Sequence, residues 1–373
     1  MLPRILRGTF AGAAVFAASL FPTSVAAQGL KLAVGDAGLG IGDVPRIDGL
    51  RLNYRDRAME RVRGINATLW SPHEDAYGGS VTGLALGVPL TGAADITGIA
   101  LGAGISADRD LTGLGIGVLG MGAGRSLSGV MIGGLGMGSG GGMSGIMIGG
   151  LGAGADGDVR GALIGGLGGG VSGSLKGLAV GGLGFGASQD VEGVVVGGLG
   201  VGASGRVRGL LVGGLGGGAG QGFTGLGIGG LGIGAGGDVT GVVIGGLGVG
   251  AARNVTGIAI GGVGVGAGGE LKGLAIGGAG VGAKALTGVV IGLGAGGQDV
   301  NALVLAPLYF KSVEEGTMRG VSVSAWNRTA GRQEGLTIGL LNIADELHGV
   351  QVGLINIAKN KSRYRVLPIV NWN

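Results

Sequence analysis

The chain has no cysteine, and both charged and aromatic residues are scarce among its 373 residues. Without cysteine, an exported chain can form neither a disulfide framework nor a lipid anchor at its cleavage site. Charged residues make up 13% of the sequence, and the 26 basic side chains form no dense basic face of the kind that nucleic acids require. The composition therefore excludes a disulfide scaffold and argues against nucleic acid as a partner. Stability has to come from packing and hydrogen bonds.

The abundant residue is glycine, with 100 copies at regular spacing. A glycine that follows a polar residue and precedes an apolar one recurs every 16 residues from Gly113 to Gly273. The same mark continues with looser spacing outside this block, at Gly49, Gly64, Gly83 and Gly98 before it and at Gly288, Ala302, Gly320, Gly335 and Gly349 after it. Self-similarity at such a period predicts a repeat architecture.

We number each unit from this marking glycine as position 0. In the central units, apolar residues fall at positions 1, 3, 6 and 8; position 3 is Ile or Val from Ile116 to Ile276, and position 6 is mostly Leu. The parity of the pattern changes at positions 4 and 5, which indicates two short strands joined at a glycine corner, with glycine supplying positive φ there. A second turn falls at positions 10 to 13. We expect positions 3 and 6 to form the core, and glycine to be retained where a side chain would not fit.

These units predict an all-β repeat β-solenoid, with two-strand rungs of 14–19 residues, mostly 16, and atypical terminal caps. Rungs stacked about 4.8 Å apart would form a rod of roughly 90 Å. The predicted organisation has four parts: a signal peptide at 1–27, an N-terminal cap with irregular first rungs at 28–82, a glycine-rich 16-residue repeat solenoid at 83–297, and C-terminal irregular rungs with a cap at 298–373.

The first 27 residues have the order of a secretory signal peptide. Arg4 and Arg7 precede an apolar run from Phe10 to Phe21, and a small-residue cleavage site ends at Ala27. The apolar run is shorter than the roughly 20 residues that span a bilayer. We therefore predict an exported protein at the cell surface, in the outer membrane or outside the cell, with the periplasm as a further location.

No motif indicates catalysis, nucleotide binding or metal binding. Matches to G-x-G-x-x-G are frequent, but a nucleotide site needs a helix after the glycine loop and no helical segment follows. Aspartates in the turns resemble those of calcium-binding repeats, yet other residues replace them in many units. His73, Glu74 and Asp75 are adjacent, and adjacent side chains do not converge on one ion without further ligands. We expect no catalytic residue, no metal and no cofactor.

Two stretches near the ends of the chain carry a resemblance to a known family. The segments "GLTIGLLNIA" from Gly335 and "GVQVGLINIA" from Gly349 match a "GLQIGLINxA" unit, and "GLRLNYRDRAMERVRGINATLW" from Gly49 looks like an amino-terminal unit. They are similar to bacterial exported proteins described as surface-repeat proteins. The central block departs from this unit, with glycine where Asn342 and Asn356 stand. The resemblance implies an exported repeat protein and brings no catalytic residues.

The sequence therefore predicts a non-enzymatic, exported structural or adhesive repeat protein of the cell envelope. Two alternatives stay open: an outer-membrane β-barrel or membrane-associated protein, with each unit as one strand of about ten residues, and a carbohydrate-active β-helix enzyme. Envelope polysaccharide or another surface protein is the expected partner, and self-association and membrane association also stay open. Charge and aromatic area gather at the two ends, which predicts partner binding by Arg51, Arg55, Arg57, Trp70, Trp326 and Trp372.

Overall fold

The computed structural model describes residues 29–72, 78–313 and 315–373, and in them the chain is a stack of parallel coils. About 19 turns follow one another in a single sheet of 30 strands. This confirms the predicted β-solenoid. The predicted signal peptide lies outside the described residues, as do His73, Glu74 and Asp75.

The N-terminal region contains the first coils and one very long strand. Its strands are β1 (Leu30–Val34), β2 (Ala37–Ile41), β3 (Arg46–Asn53), β4 (Arg61–Thr68) and β5 (Ser80–Ala123). Strand β5 continues through more than two coils, so the chain bends at its corners there without leaving strand geometry. Parallel pairing of β3 with β4 and of β4 with β5 shows that coils already stack within the segment predicted as an N-terminal cap with irregular first rungs.

In the central region each coil contributes one longer and one shorter strand. They are β6 (Ser126–Gly133), β7 (Gly136–Ser139), β8 (Gly142–Gly149), β9 (Gly152–Ala155), β10 (Val159–Gly165), β11 (Gly168–Val171), β12 (Leu175–Gly181), β13 (Gly184–Ala187), β14 (Val191–Gly197), β15 (Gly200–Ala203), β16 (Arg206–Gly213), β17 (Gly216–Ala219), β18 (Gly222–Gly229), β19 (Gly232–Ala235), β20 (Val239–Gly245), β21 (Gly248–Ala251) and β22 (Val255–Gly261). The turns between them fall where the sequence predicts corners.

The C-terminal region continues the stack with less regular coils. Its strands are β23 (Gly264–Gly297), β24 (Asp299–Leu305), β25 (Tyr309–Ser312), β26 (Thr317–Val323), β27 (Trp326–Gln333), β28 (Leu336–Leu347), β29 (Val350–Ala358) and β30 (Val366–Trp372). At the two ends of the stack, β1 pairs antiparallel with β2 and β30 pairs antiparallel with β29. Each closing strand satisfies the backbone groups of the terminal coil and so protects an edge that could otherwise pair with another chain.

Register between coils is exact to the residue in the 16-residue block. Strand β20 pairs in parallel with β22 so that Gly241 faces Gly257, Val243 faces Ala259 and Ile244 faces Ile260. Each unit position therefore forms a column along the solenoid. The alternative of one strand per unit is wrong, because each central unit supplies two strands that pair with the next unit.

The marking glycine is itself a bend, which the sequence analysis did not predict. Marking glycines from Gly49 to Gly320 have φ between 102° and 154°, a region that side chains with a Cβ rarely adopt. A Cβ on Gly241 would also lie 2.2 Å from the carbonyl oxygen of Gly225 in the preceding coil. At the predicted corner, glycine is needed for space rather than for φ: a Cβ on Gly246 would lie 1.8 Å from the Gly230 oxygen.

The core consists of positions 2, 8, 10 and 14, and the expectation that positions 3 and 6 form it is wrong. Val243 at position 2 is 0% exposed and Val249 at position 8 is buried, whereas Ile244 is 37% and Leu247 is 53% exposed. Side chains alternate along a strand, so buried positions 2 and 4 force positions 1 and 3 outward. Position 6 lies in the turn, and its side chain points away from the core.

In the core, large side chains of the same coil or of the next coil fill the space beside a glycine. A Cβ on Gly217 would lie 2.1 Å from Cδ2 of Leu211, and one on Gly169 would lie 2.9 Å from the Phe185 ring. Both glycines occupy position 8. This complementarity explains why residue size varies so widely at the buried positions, since only the summed volume must stay constant.

In the last coils the core becomes polar. Asn327 donates to the Oδ1 of Asn342 at 2.7 Å, and Asn342 donates to the Oδ1 of Asn356 at 2.7 Å, all three being buried. Register places Asn327 beside Phe310, an apolar core residue, and Asn342 beside Asn327. The asparagines therefore replace apolar core residues, and the sequence alignment that set them against glycine was out of register.

Candidate interaction surface

The N-terminal basic segment is partly a structural network. Arg51 is completely buried: its guanidinium forms an ion pair with Asp56 and donates to Asn66 at 3.1 Å and to the Val44 carbonyl at 3.0 Å. Partner binding by Arg51 stays a prediction, but the structure places its side chain in the interior, where it satisfies a buried carboxylate. An unpaired buried carboxylate would be strongly destabilising.

The other predicted N-terminal residues lie nearer the surface. Arg55 and Arg57 are half-buried, and Trp70 is exposed. Trp70 stacks on the exposed ring of Tyr54, with centroids 6.4 Å apart and planes 7° from parallel. The pair forms a flat aromatic surface, and Tyr54 is a member that the sequence analysis did not single out.

The C-terminal tryptophans occupy separate strands. Trp326 on β27 packs edge-to-face against Tyr309 on β25, with centroids 5.1 Å apart. Trp372 on β30 is 63% exposed, with the Lys361 ammonium 6.0 Å from its ring centre. The solenoid thus places the predicted aromatic residues at its two ends, with the whole repeat block between them.

Between these ends lies an exposed apolar surface that the sequence analysis assigned to the core. We call it the apolar face; it consists of position 1 from Leu114 to Leu274, position 3 from Ile116 to Ile276, and position 6 from Leu119 to Leu247. The nine leucines at position 6 are each about half exposed. None of the three columns contains a charged residue. Their near-constant residue type is the sequence pattern that marks these columns, but the side chains lie on the outside of the coil and not in the core.

The apolar face is larger than the surfaces that soluble monomers usually expose. If a half-exposed aliphatic side chain leaves on the order of 50 Å² accessible, three columns over about a dozen coils present more than about 1,000 Å². The largest apolar patch on a typical monomer is about 300–600 Å² and is often functional. This face is therefore the leading candidate for binding.

Beside the leucines runs a surface without side chains. We call it the glycine strip; it consists of position 7 from Gly120 to Gly294 and position 9 from Gly122 to Gly296. A Cβ on Gly234 or Gly250 would meet no atom within 4 Å. The expectation that glycine is retained because a side chain would not fit is therefore wrong at these position 9 residues, although it holds at positions 0, 4 and 5.

Polar residues occupy the turn at positions 11 to 13, where they satisfy the backbone. The carboxylate of Asp158 accepts from the Ser174 amide at 2.8 Å, and that of Asp190 accepts from the Arg206 amide at 2.8 Å, one coil later in each case. These aspartates cap amides rather than converge on a cation. Within the three described ranges there is no group of three or more His, Asp or Glu residues suited to a metal ion.

Ion pairs also connect successive coils at the N-terminal end of the repeat block. Asp95 pairs with Arg109 and Asp110 pairs with Arg125. Hydrogen bonding from Arg125 lowers the pKa of Asp110 to about 2, although partial burial opposes this, and a 2.6 Å hydrogen bond from the Ser126 hydroxyl acts in the same direction as Arg125. The Arg109 side chain likewise lowers the pKa of Asp95. These charged groups hold coils together.

An apolar groove of about 650 Å³ opens near the C-terminal end. Its walls are aliphatic, including Leu305, Val323, Ile338 and Val352, with Ile369 of the closing strand at one side. These four residues each occupy position 3 of their coil. At position 6, register places Ala325 where the preceding coil has Leu308, because Trp326 lies beside Tyr309. The groove therefore continues the apolar face rather than forming a separate polar site.

Fold and surface together define the chain as a repeat β-solenoid protein with an apolar outer face. No family model, curated protein or solved structure matches its sequence. In the part of the chain that the structure describes, no helix is long and apolar enough to cross a membrane.

Proposed function

We propose that the protein is an exported, non-catalytic structural or adhesive rod of the cell envelope. The observation that carries this proposal is the apolar face, which runs along the repeat block on a scaffold of coils held in fixed register. A surface of this size on a rigid support suits extended contact with another macromolecule rather than capture of a small molecule.

Export is supported by the amino-terminal sequence, whose basic, apolar and small-residue segments follow the order of a signal peptide. The absence of cysteine is compatible with an oxidising compartment, since no thiol needs protection. The resemblance of the segments from Gly49, Gly335 and Gly349 to surface-repeat proteins points the same way.

A role without catalysis is supported by how the charged groups are used. Asp158 and Asp190 cap backbone amides, and Asp95 and Asp110 pair with arginines of the next coil. A general acid or base needs a positioned group that can exchange its proton near the working pH, but the pKa values of Asp95 and Asp110 are lowered away from that range.

The two aromatic ends supply a second kind of contact. The stacked Tyr54 and Trp70 and the Trp326–Tyr309 pair offer exposed ring surface, which is typical of binding hot spots. We propose envelope polysaccharide or another surface protein as their partner, with Arg55 and Arg57 adding charge at the N-terminal end. The solenoid then acts as a spacer between two binding ends.

Fractionation of cells that produce the protein tests this function. The full chain should appear in envelope or culture-supernatant fractions, whereas a matched chain lacking residues 2–27 should remain in the cytoplasm. Binding to isolated envelope polysaccharide should fall for Trp70→Ala and Trp326→Ala and be unchanged for Ser204→Ala in an exposed turn. Retention of the full chain in the cytoplasm would overturn the proposal.

A further inference from the structure

We propose that the apolar face is an interface between two copies of this chain. The inference deepens the proposed structural role, on which it rests, by naming the partner that covers the central coils. It concerns the face formed by positions 1, 3 and 6, apart from the aromatic ends.

The area of the face matches what a stable pair needs. A standard protein interface buries about 800 Å² on each partner. The apolar face presents more than about 1,000 Å². Burying most of it would therefore suffice for a specific dimer. Many of its side chains already have restricted rotamers because they are β-branched and held in a sheet, which lowers the entropy lost on association.

The period of the face favours a partner with the same repeat. Each column repeats once per coil, about 4.8 Å apart, over the length of the block. Side chains of a partner with another spacing would fall out of step after a few coils, whereas a second copy has the same spacing throughout. Identical chains therefore interdigitate along the full length, and a two-fold arrangement makes the same patch contact itself.

The three columns of the apolar face bring no polar side chain into an interface. The columns contain no charged side chain, and the backbone groups of strands such as β14, β16 and β18 are already paired from coil to coil. The glycine strip beside the leucines adds room for the partner's side chains, since a Cβ at Gly202 or Gly234 would meet nothing within 4 Å. The desolvation penalty that limits polar interfaces is therefore small here.

A lipid surface fits the same face less well. Proteins that lie on membranes place aromatic rings and basic side chains beside their apolar area. In residues 78–308 the only aromatic residues are Phe185 and Phe223, and both are buried in the core. Acidic as well as basic residues occur in the position before the marking glycine, such as Glu192 beside Lys176 and Arg208.

Sedimentation velocity of the purified protein over a range of concentrations tests the inference. Wild type should sediment as a dimer or larger species at micromolar concentration. The double variant Leu199→Glu with Leu231→Glu should raise the dissociation constant by at least about 100-fold, because it buries unpaired charge. The matched control, Ser188→Glu with Ser204→Glu, adds the same charge in exposed turns of neighbouring coils and should associate like wild type.

Circular dichroism of each variant shows whether a loss of association comes from misfolding. Disulfide cross-linking provides a second test of association. Since the chain has no cysteine, Val196→Cys places a single thiol at position 3 near the middle of the block, where oxidation should link two chains. Ser204→Cys, in an exposed turn, should not cross-link. A wild type that stays monomeric, equal loss of association in both double variants, or monomers that float with phosphatidylglycerol vesicles would overturn the inference. Because purified protein is used, this outcome is distinct from a failure of export.

Discussion

At single positions, the glycines of a coil differ in what a side chain at each position would contact. The marking glycines have positive φ and touch the carbonyl oxygen of the previous coil. Position 9 glycines such as Gly202, Gly234 and Gly250, in contrast, have open space where a side chain would lie. Because glycine in a strand is destabilising by roughly 0.5–1 kcal/mol relative to alanine, the open positions are retained for reasons outside the isolated coil.

This difference predicts opposite outcomes for two alanine substitutions nine residues apart. Gly241→Ala should lower the thermal midpoint strongly, since it combines a φ of 121° with a Cβ 2.2 Å from a backbone oxygen. Gly250→Ala should leave stability unchanged or raise it by up to about 1 kcal/mol, because it only restricts the unfolded chain. Thermal melts followed by circular dichroism check both. Equal melts would contradict the assignment of the bend.

Two adjacent residues test which side of the strand faces the core. Val243→Asp should disrupt its coil, because burying an unpaired charge costs several kcal/mol. Ile244→Asp should change the stability of the monomer by less than about 1 kcal/mol, since its side chain reaches solvent. Melts at a protein concentration too low for association provide the comparison. A larger loss of stability for Ile244→Asp than for Val243→Asp would contradict this assignment and support position 3 as the core position.

At the residue scale, the sequence predicts the strands and corners but not which side chains form the core. Regularity identified the strands and corners correctly, because apolar periodicity and glycine clusters report local geometry. The same regularity places the core wrongly. Ile244 and Leu247 belong to the columns whose residue type varies least, and a constant residue type does not mean a buried side chain here. Core columns instead vary between Gly217 and Phe185 at position 8, since neighbours compensate in volume.

At the level of strands, coil-to-coil contacts include charged pairs at corners as well as backbone hydrogen bonds. Asp110 in β5 pairs with Arg125, which lies between β5 and β6. Screening by water keeps such exposed pairs weak. They nevertheless give the N-terminal part of the block a dependence on pH that the apolar core lacks.

The pKa of Asp110 sets the pH range of this dependence. Its folded value of about 2 lies below the ordinary value of 3.8, so its stabilising contribution is present above pH 3.8 and is lost as the pH falls through about 2. Asp110→Asn should therefore melt lower than wild type at pH 5, and the difference should shrink toward pH 2. Arg125→Gln should show the same trend, because it removes the same pair. A constant difference across this range would contradict the assignment.

The ends of the solenoid were the least predictable elements. The sequence marked 28–82 and 298–373 as unusual, but the closing contacts depend on antiparallel pairing by β1 and β30, which no local pattern specifies. Arg51 looked like a free charge because it stands in a charge-dense segment, and only the fold brings Asn66 beside it and Asp56. The paired rings of Tyr54 and Trp70 depend in the same way on contact across coils.

For the whole molecule, the coil is the unit of length. Removing residues 225–240 deletes one complete turn and should leave a folded solenoid shorter by about 4.8 Å. Removing residues 225–232 deletes half a turn, breaks the register of every column and should destabilise the block. Circular dichroism and protease resistance distinguish the two variants. Identical behaviour would show that the turn is not an independent unit.

The direction of the backbone hydrogen bonds gives the rod a particular response to force. Bonds such as those between β20 and β22 run along the solenoid axis, so a pull on the two ends loads each coil interface in series. Coils would then detach from an end one after another, since an end coil has a neighbour on one side only. Each detached coil of 16 residues would lengthen the chain by about 50 Å, which would turn a stiff rod into an extensible tether under load.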